Sequence, residues 1–418
     1  MMTRSSSRSA RSSAESSTHK TLSFSSVSLL RDTEGDIMTR NMNMDLIYRF
    51  FDAVNMHRWN DHLRPLDLTE LDKQSHKAAI AWVLGKFEET ENGTQLDWQC
   101  IIEHTMFSFL KRTVLTDLKP QLLHRMEDER FDEVNDYVIS EIRAAIPDLD
   151  GSFMERFERY LRGKQDRIED RIISAAHYMA TNWEFNIIYD MNKRSFGIEN
   201  TKTALAMELS GYSGLIGVKR LIDSESMTFV DLIGQLRFQQ RWTRIPRVPQ
   251  TTVLGHSLVV ANMVYLNDLD KGVDPRQIYN DYYTALFHDL PEVLTKDVIT
   301  PVKVNVHGLV EILDEYEHEL VNSKIMPLIP EVWHEEFRFL TFEPFADKDD
   351  ERFGKVNGRC IKLCDVMGAY IEANVSRRLG IHSANLRHGE ESLRERLERE
   401  GAPIGASELM RRFDGMEI

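Results

Sequence analysis

"DYYTALFHDLPEVLTKDVITPVK", residues 281–303, decides how the rest of the chain is read. An apolar run ends on His288-Asp289, and Pro291 just beyond disrupts helical hydrogen bonding. Upstream, "DWQCIIEHTMFSFLKRTVLTDLK" (97–119) lies on it without a gap, so that Asp97 falls on Asp281, His104 on His288, Thr116 on Thr300 and Lys119 on Lys303. Working outward, "HRWNDHLRP" around Arg58 answers "QRWTRIPRVP" around Arg241. Further on, "RIISAAHYMATNWEFN" (171–186) lies on "RCIKLCDVMGAYIEAN" (359–374), setting His177 on Asp365, Met179 on Met367, Glu184 on Glu372 and Asn186 on Asn374. His76 and His256 complete the set, each opening an apolar helix after its Arg-Trp pair. Blocks repeated in the same order imply one domain written twice.

The spacing within the blocks is helical. Apolar residues recur at three and four in "DLIYRFFDAV", "HKAAIAWVLGKF" and "HSLVVANMVYL", while alternating strand-like runs are scarce. The expected fold is therefore all-α, a tandem duplication of a helical bundle. The halves run over residues 42–222 and 226–418, with "LIDSESMTF" as the junction. Residues 1–41, opening "MMTRSSSRSARSSAESSTHK", are rich in Ser and Arg and lack an apolar core, so a disordered tail is expected there. A transit peptide has the same composition.

Lys plus Arg total 52 against 67 for Asp plus Glu, a formal charge of -15 that argues against sequence-independent binding to nucleic acid. A small anionic substrate is compatible with it, because a local basic pocket can oppose the global field. Cys100, Cys360 and Cys364 are an odd number without metal-finger spacing, which fits a reducing, cytoplasmic setting and a role as small core residues. No apolar run approaches the roughly 18 residues of a membrane span.

The second half carries the chemistry. Were His256, His288, Asp289 and Asp365 to converge, two imidazoles and two carboxylates would suit one divalent metal such as Mn, Co, Fe, Mg or Zn. Asp365 shares a helical stripe with Ile361 and Gly368, where a carboxylate is costly unless a cation or donors meet it. Singly, a histidine on an apolar helix reads as a core residue with its hydrogen bonds met, and Asp365 as the partner of a neighbouring arginine. The order His, then His-Asp, then Asp is the informative feature.

With Arg241-Trp242, "GHS" (255–257), "HDLPEVLTKD" (288–297), "TPVK" (300–303) and "KLCD" (362–365) in place, the second half resembles the HD-domain phosphohydrolase superfamily, and within it the bacterial 5′-deoxynucleotidase branch. The resemblance implies that His256, His288, Asp289 and Asp365 bind one divalent metal and that Glu292 acts as general acid or base. It implies that Arg241 faces phosphate oxygens, that Trp242 packs against the sugar and crowds out a 2′-hydroxyl, and that Asp297 and Lys303 finish the substrate pocket. The implied activity is removal of phosphate from nucleoside 5′-monophosphates, deoxynucleotides first. Triphosphate removal from a dNTP and nucleotide binding without turnover are the competing readings.

Two positions depart from the branch: Gly255 stands where a Glu precedes the first ligand histidine, and Lys296 where a Gly precedes Asp297. Loss of the carboxylate at 255 is expected to weaken or re-aim His256. His307, His318 and His334 fall into no motif and are assigned to surface or packing roles. In the first half, Thr105, Ser108, Thr113 and His177 replace Asp289, Glu292, Asp297 and Asp365. This reads as a degenerate copy, although His76, His104 and His177 together could still hold zinc. Branch members are commonly homodimers, so the resemblance implies an internal pseudo-dimer of the two halves and leaves room for a homo-oligomer of the whole chain.

Overall fold

A computed structural model describes residues 41–418 except 117, 119 and 297–307. The expected disordered tail, the pocket residues Asp297 and Lys303, the Thr300 and Lys119 matches, and His307 lie outside the described residues. Asn41, placed at the end of the tail, is already tied down: its backbone N–H donates to Asp270 Oδ1 at 2.7 Å.

The fold is all-α, with two short antiparallel strand pairs and one isolated bridge beside the helices among the described residues. In the first half, α1 (Met44–Asp52) and the strands β1 (His57–Arg58) and β2 (Leu68–Thr69) lead into α2 (Glu70–Asn92) and α3 (Trp98–Leu115). Helices α4 (Pro120–Ala145), α5 (Gly151–Arg162), α6 (Ile168–Asn192), α7 (Ile198–Ser210) and α8 (Ile216–Asp223) follow. The second half contains α9 (Ser226–Gln235), α10 (Val253–Lys271), α11 (Pro275–Phe287) and the single turn α12 (Glu292–Thr295). It continues with α13 (Leu309–Leu320), α14 (His334–Thr341), the strands β3 (Lys348–Asp350) and β4 (Gly354–Val356), α15 (Gly358–Arg378), α16 (Ala384–Glu400) and α17 (Ala406–Gly415). No helix among the described residues is long and apolar enough to cross a membrane.

Helices α2, α10 and α15 are buried on nearly every face, which explains why their apolar residues surround the helix rather than forming one stripe. Both α2 and α10 begin at a threonine N-cap: Thr69 accepts from Asp72 N and Thr252 from Gly255 N. Both are preceded by the same strand-like contact, Glu70 N donating to Met56 O at 2.9 Å and Val253 N to Gln239 O at 3.0 Å. His57 pairs with Thr69, and Gln240 pairs with Thr252 in the corresponding way. These caps fix a register that differs from the one drawn through the histidines. Lys73, not His76, stands four residues after its cap as His256 does after Thr252.

One hydrophobic core runs through both halves, from Met42 to Phe413. Trp82 of α2 donates to Tyr279 OH of α11 at 2.8 Å and packs edge-on against Phe287 and Trp333. The three cysteines are free and buried, as small core residues should be.

Candidate metal centre

α10, α11 with its C-terminal turn, and α15 bring the expected ligands together. His256 sits one turn into α10, His288 caps α11 with Asp289 following, and Asp365 lies in α15. Ligand atoms of His256, His288 and Asp289 all lie within 4.8 Å of one another. His256 Nε2 is 3.0 Å from Asp365 Oδ1, and His288 Nε2 is 3.1 Å from Asp289 Oδ2. Lys362 Nζ donates to the other Asp365 oxygen at 2.8 Å.

The donor set fits a divalent ion on a specific ground. His288 Nδ1 is 2.7 Å from Ala285 O, which fixes the proton on Nδ1 and leaves Nε2 with a lone pair. That Nε2 is buried and has no hydrogen-bond donor among the described residues. A buried acceptor facing a carboxylate is unfavourable unless a cation meets both.

The charges are arranged accordingly. Burial pushes the Asp289 carboxyl up, but His288, when its ring is protonated, and Arg241 outweigh it and bring it down to about 2. Asp365 is likewise opposed by burial yet held well below the carboxylate range by Lys362 and by His256 and His288 when these rings are protonated. Burial alone would lower His256; the carboxylates of Glu372 and Asp365 raise it instead.

Arg241 spans the cluster, with Nε 3.3 Å from Glu372 Oε2 and one terminal nitrogen 3.5 Å from Asp289 Oδ2. Trp242 adopts a left-handed φ of 58°, rare for a bulky residue, and its indole N–H donates to Glu372 Oε2 at 2.8 Å. Around them a surface cavity is lined by Gln240, Arg241, Trp242, Arg244, Arg247 and Gln250, a cationic surround for an anion. Glu292 opens α12 one turn past the ligand pair, its N–H donating to Asp289 O at 3.1 Å and its own carbonyl accepting from Gln239 Nε2 at 2.8 Å. Its carboxylate acts on Arg241 together with those of Glu372, Asp289 and Asp365, and against burial they hold the guanidinium well above its ordinary range. His318 stacks on Phe342 and His334 bonds Ile329 O, so neither joins the cluster.

Glu372 is the residue that sequence reasoning passed over. It is buried in α15, and besides Arg241 and Trp242 it accepts from Thr251 Oγ1 at 2.7 Å and stands 3.4 Å from His256 Nδ1. Arg241, Arg247 and His256 hold it well below the carboxylate range despite burial. The available signal was its match to Glu184, a charged residue at the same place in two apolar helices. Glu372 also answers the concern at Gly255, because His256 keeps an orienting carboxylate. A Cβ on Gly255 would lie 2.8 Å from Asp72 Oδ1, so glycine is there to let α2 approach.

Residues 233–388 match the HD domain family. The chain carries an HD domain. The match spans all four candidate ligands and both members of the Arg-Trp pair. The HD domain region is similar to the 5′-deoxynucleotidase of Shewanella oneidensis, 27% identical over 156 residues, covering 35% of this chain and 73% of the relative. It is similar to those of Vibrio atlanticus, 25% identical with 41% and 84% covered, and Vibrio cholerae, 26% identical with 38% and 78% covered.

In the first half the corresponding framework is present without the ligands. Arg58 Nε donates to Glu184 Oε2 at 2.7 Å, Trp59 Nε1 donates to the same oxygen at 3.1 Å, and Trp59 has a left-handed φ of 54°. The three histidines, expected to be able to share a zinc ion, go separate ways. His76 Nε2 bonds Val230 O, His104 Nδ1 pairs with Asp170, and His177 Nδ1 meets Lys73 Nζ. His76 is engaged by Val230 of α9, and His104 by Asp170 of α6.

Proposed function

We propose that the HD domain is a metal-dependent phosphohydrolase that removes phosphate from nucleoside 5′-monophosphates, deoxynucleotides in preference, in the cytoplasm. One observation carries the reading: a guanidinium, Arg241, stands 3.5 Å from Asp289 of a buried histidine and carboxylate cluster whose His288 Nε2 lacks a donor. The similarity to 5′-deoxynucleotidases over most of their length supports it.

His256, His288, Asp289 and Asp365 would hold one divalent ion, which polarises phosphate oxygens and acidifies water. Arg241 offers its fork to the non-bridging phosphate oxygens. Glu292 handles the proton of the attacking water or the leaving oxygen. Trp242 packs against the sugar, and the family resemblance assigns substrate contacts to Asp297 and Lys303. Glu372 holds Arg241, Trp242 and His256 in one geometry.

The two halves, residues 42–222 and 226–418, are read as tandem copies forming an internal pseudo-dimer. The repeated caps, strand contacts and Arg-Trp-Glu arrangements support this. The test is release of phosphate from dAMP or dTMP by purified protein with Mn or Co, against triphosphate from dATP. Phosphate release from the monophosphates is expected. Triphosphate release instead would shift the substrate class, and no turnover of either would remove the enzymatic reading.

A further inference from the structure

We infer that the first half holds a second anion site, built for a phosphate monoester, in which Lys73 and Lys77 stand where the second half places its metal centre. The phosphate-facing framework is retained there. Arg58, Trp59 and Glu184 repeat the contacts of Arg241, Trp242 and Glu372. The ligands are exchanged: the capping register puts Lys73 at the place of His256, while Thr105, Ser108 and His177 stand for Asp289, Glu292 and Asp365. Lys77 lies one turn beyond Lys73 on the same face of α2.

Both ammonium groups end on neutral partners. Lys73 Nζ is 2.6 Å from His177 Nδ1, and Lys77 Nζ is 2.7 Å from Ser108 Oγ and 3.5 Å from Thr105 O. The two lysines are 0% and 1% exposed. The nearest carboxylate to Lys73, Glu70, is 3.9 Å away and is already engaged by Arg58 and Gln74, at 2.7 and 2.6 Å. Glu184 is shared between Arg58 and Arg237. Arg58, Lys73 and Lys77, all buried, therefore face Glu70 and half a share of Glu184, an excess of buried positive charge. Thr105 Oγ1, at the place of the ligand aspartate, is buried with no partner among the described residues. His177 and Ser108 are partly exposed, so the cluster reaches solvent where the second half has its site.

A copy kept only for packing has no use for this arrangement. Buried ammonium groups without a close carboxylate are expensive, and apolar side chains of similar volume would serve the core as well or better. Burial drives Lys77 down to about 7, and burial with Arg58, Lys77 and Arg112 drives Lys73 well below its ordinary value. A dianion between them would restore both charges and give Thr105 and Ser108 an acceptor. The same cations would repel a metal ion. The site thus fits a nucleotide phosphate that is held and not hydrolysed.

The choice of a phosphate ligand rests on the proposed role of Arg241, but the test does not require the second half to be catalytic. The experiment uses the full chain carrying Asp289→Asn, with a chelator present, and follows melting temperature against inorganic phosphate and then dAMP. A saturable rise is expected. Adding Lys73→Met and Lys77→Met should leave the phosphate-free protein as stable or more stable, while the phosphate needed for half the rise increases at least 10-fold. Lys77→Met alone, a milder change, should give an intermediate response if the pair fails to fold. Arg241→Met in the same background should leave the response in place. No phosphate response in the Asp289→Asn chain, or a response indifferent to Lys77→Met whether or not Arg241→Met abolishes it, would overturn the assignment.

Discussion

Glu372 binds three separate parts of the site with one carboxylate: the guanidinium of Arg241, the indole of Trp242 and, at 3.4 Å, the ring of His256. Glu372→Gln keeps the volume but removes the charge, and places an amide N–H against donors. It should lower metal affinity and kcat/KM together by about 10- to 100-fold, read by metal titration and steady-state kinetics. Asp289→Asn should abolish bound metal and turnover alike. Glu292→Ala should keep its metal while turnover falls about 100-fold or more, and unchanged turnover at equal metal content would remove Glu292 from the mechanism. The convergence of the candidate ligands was legible because His-Asp before a proline and an aspartate on an apolar stripe are locally odd. Glu372 was not, because its partners lie more than a hundred residues away and only the crossing of α15 over the Arg-Trp loop brings them to it. The register of Lys73 was hidden for a similar reason: matching histidine to histidine overrides the N-cap threonines, at which both α2 and α10 begin.

At the scale of elements, the close approach of α2 to α10 depends on Gly255. An added Cβ meets Asp72 Oδ1 at 2.8 Å and Leu71 at 3.1 Å, and Asp72 is itself held by Thr252 Oγ1 at 2.5 Å. Gly255→Ala should therefore cost about 1–3 kcal/mol in a denaturant titration despite the better helix propensity of alanine. Between α10 and α11, Asp268 and Asp281 are both fully buried. Burial and then Asp281 push Asp268 well above the carboxylate range, and burial raises Asp281 to about 6. Both folded values lie above the unfolded ones, so the pair contributes stability that is present below about pH 4 and lost as pH rises through about 6. Asp268→Asn removes one charge and supplies a donor. It should gain on the order of 1–3 kcal/mol over the parent at pH 8 and little at pH 4, measured by urea midpoints at both values. Equal gains at the two values would mean the pair does not share a proton.

For the whole molecule, the helical period made the class readable and the repeated blocks are the ground for proposing a duplication, but neither tells how far the halves share one interior. Tyr279, Tyr283, Phe287, Trp333 and Phe337 of the second half pack against Trp82, Phe87 or Trp98 of the first. Tyr265 OH donates to Glu103 at 2.9 Å, and Arg237 to Glu184 at 3.0 Å. Each large apolar side chain left in water forfeits about 1.5–3 kcal/mol, so five of them forfeit roughly 8–15 kcal/mol. That equals the net stability of about 5–15 kcal/mol typical of an entire domain. A fragment of residues 226–418 should accordingly bind a hydrophobic dye, self-associate on a sizing column and lack activity. Co-expression with residues 42–222 should recover a soluble one-to-one complex with turnover. A fragment of 226–418 that is soluble, monomeric and fully active alone would show that the first half is not its built-in partner.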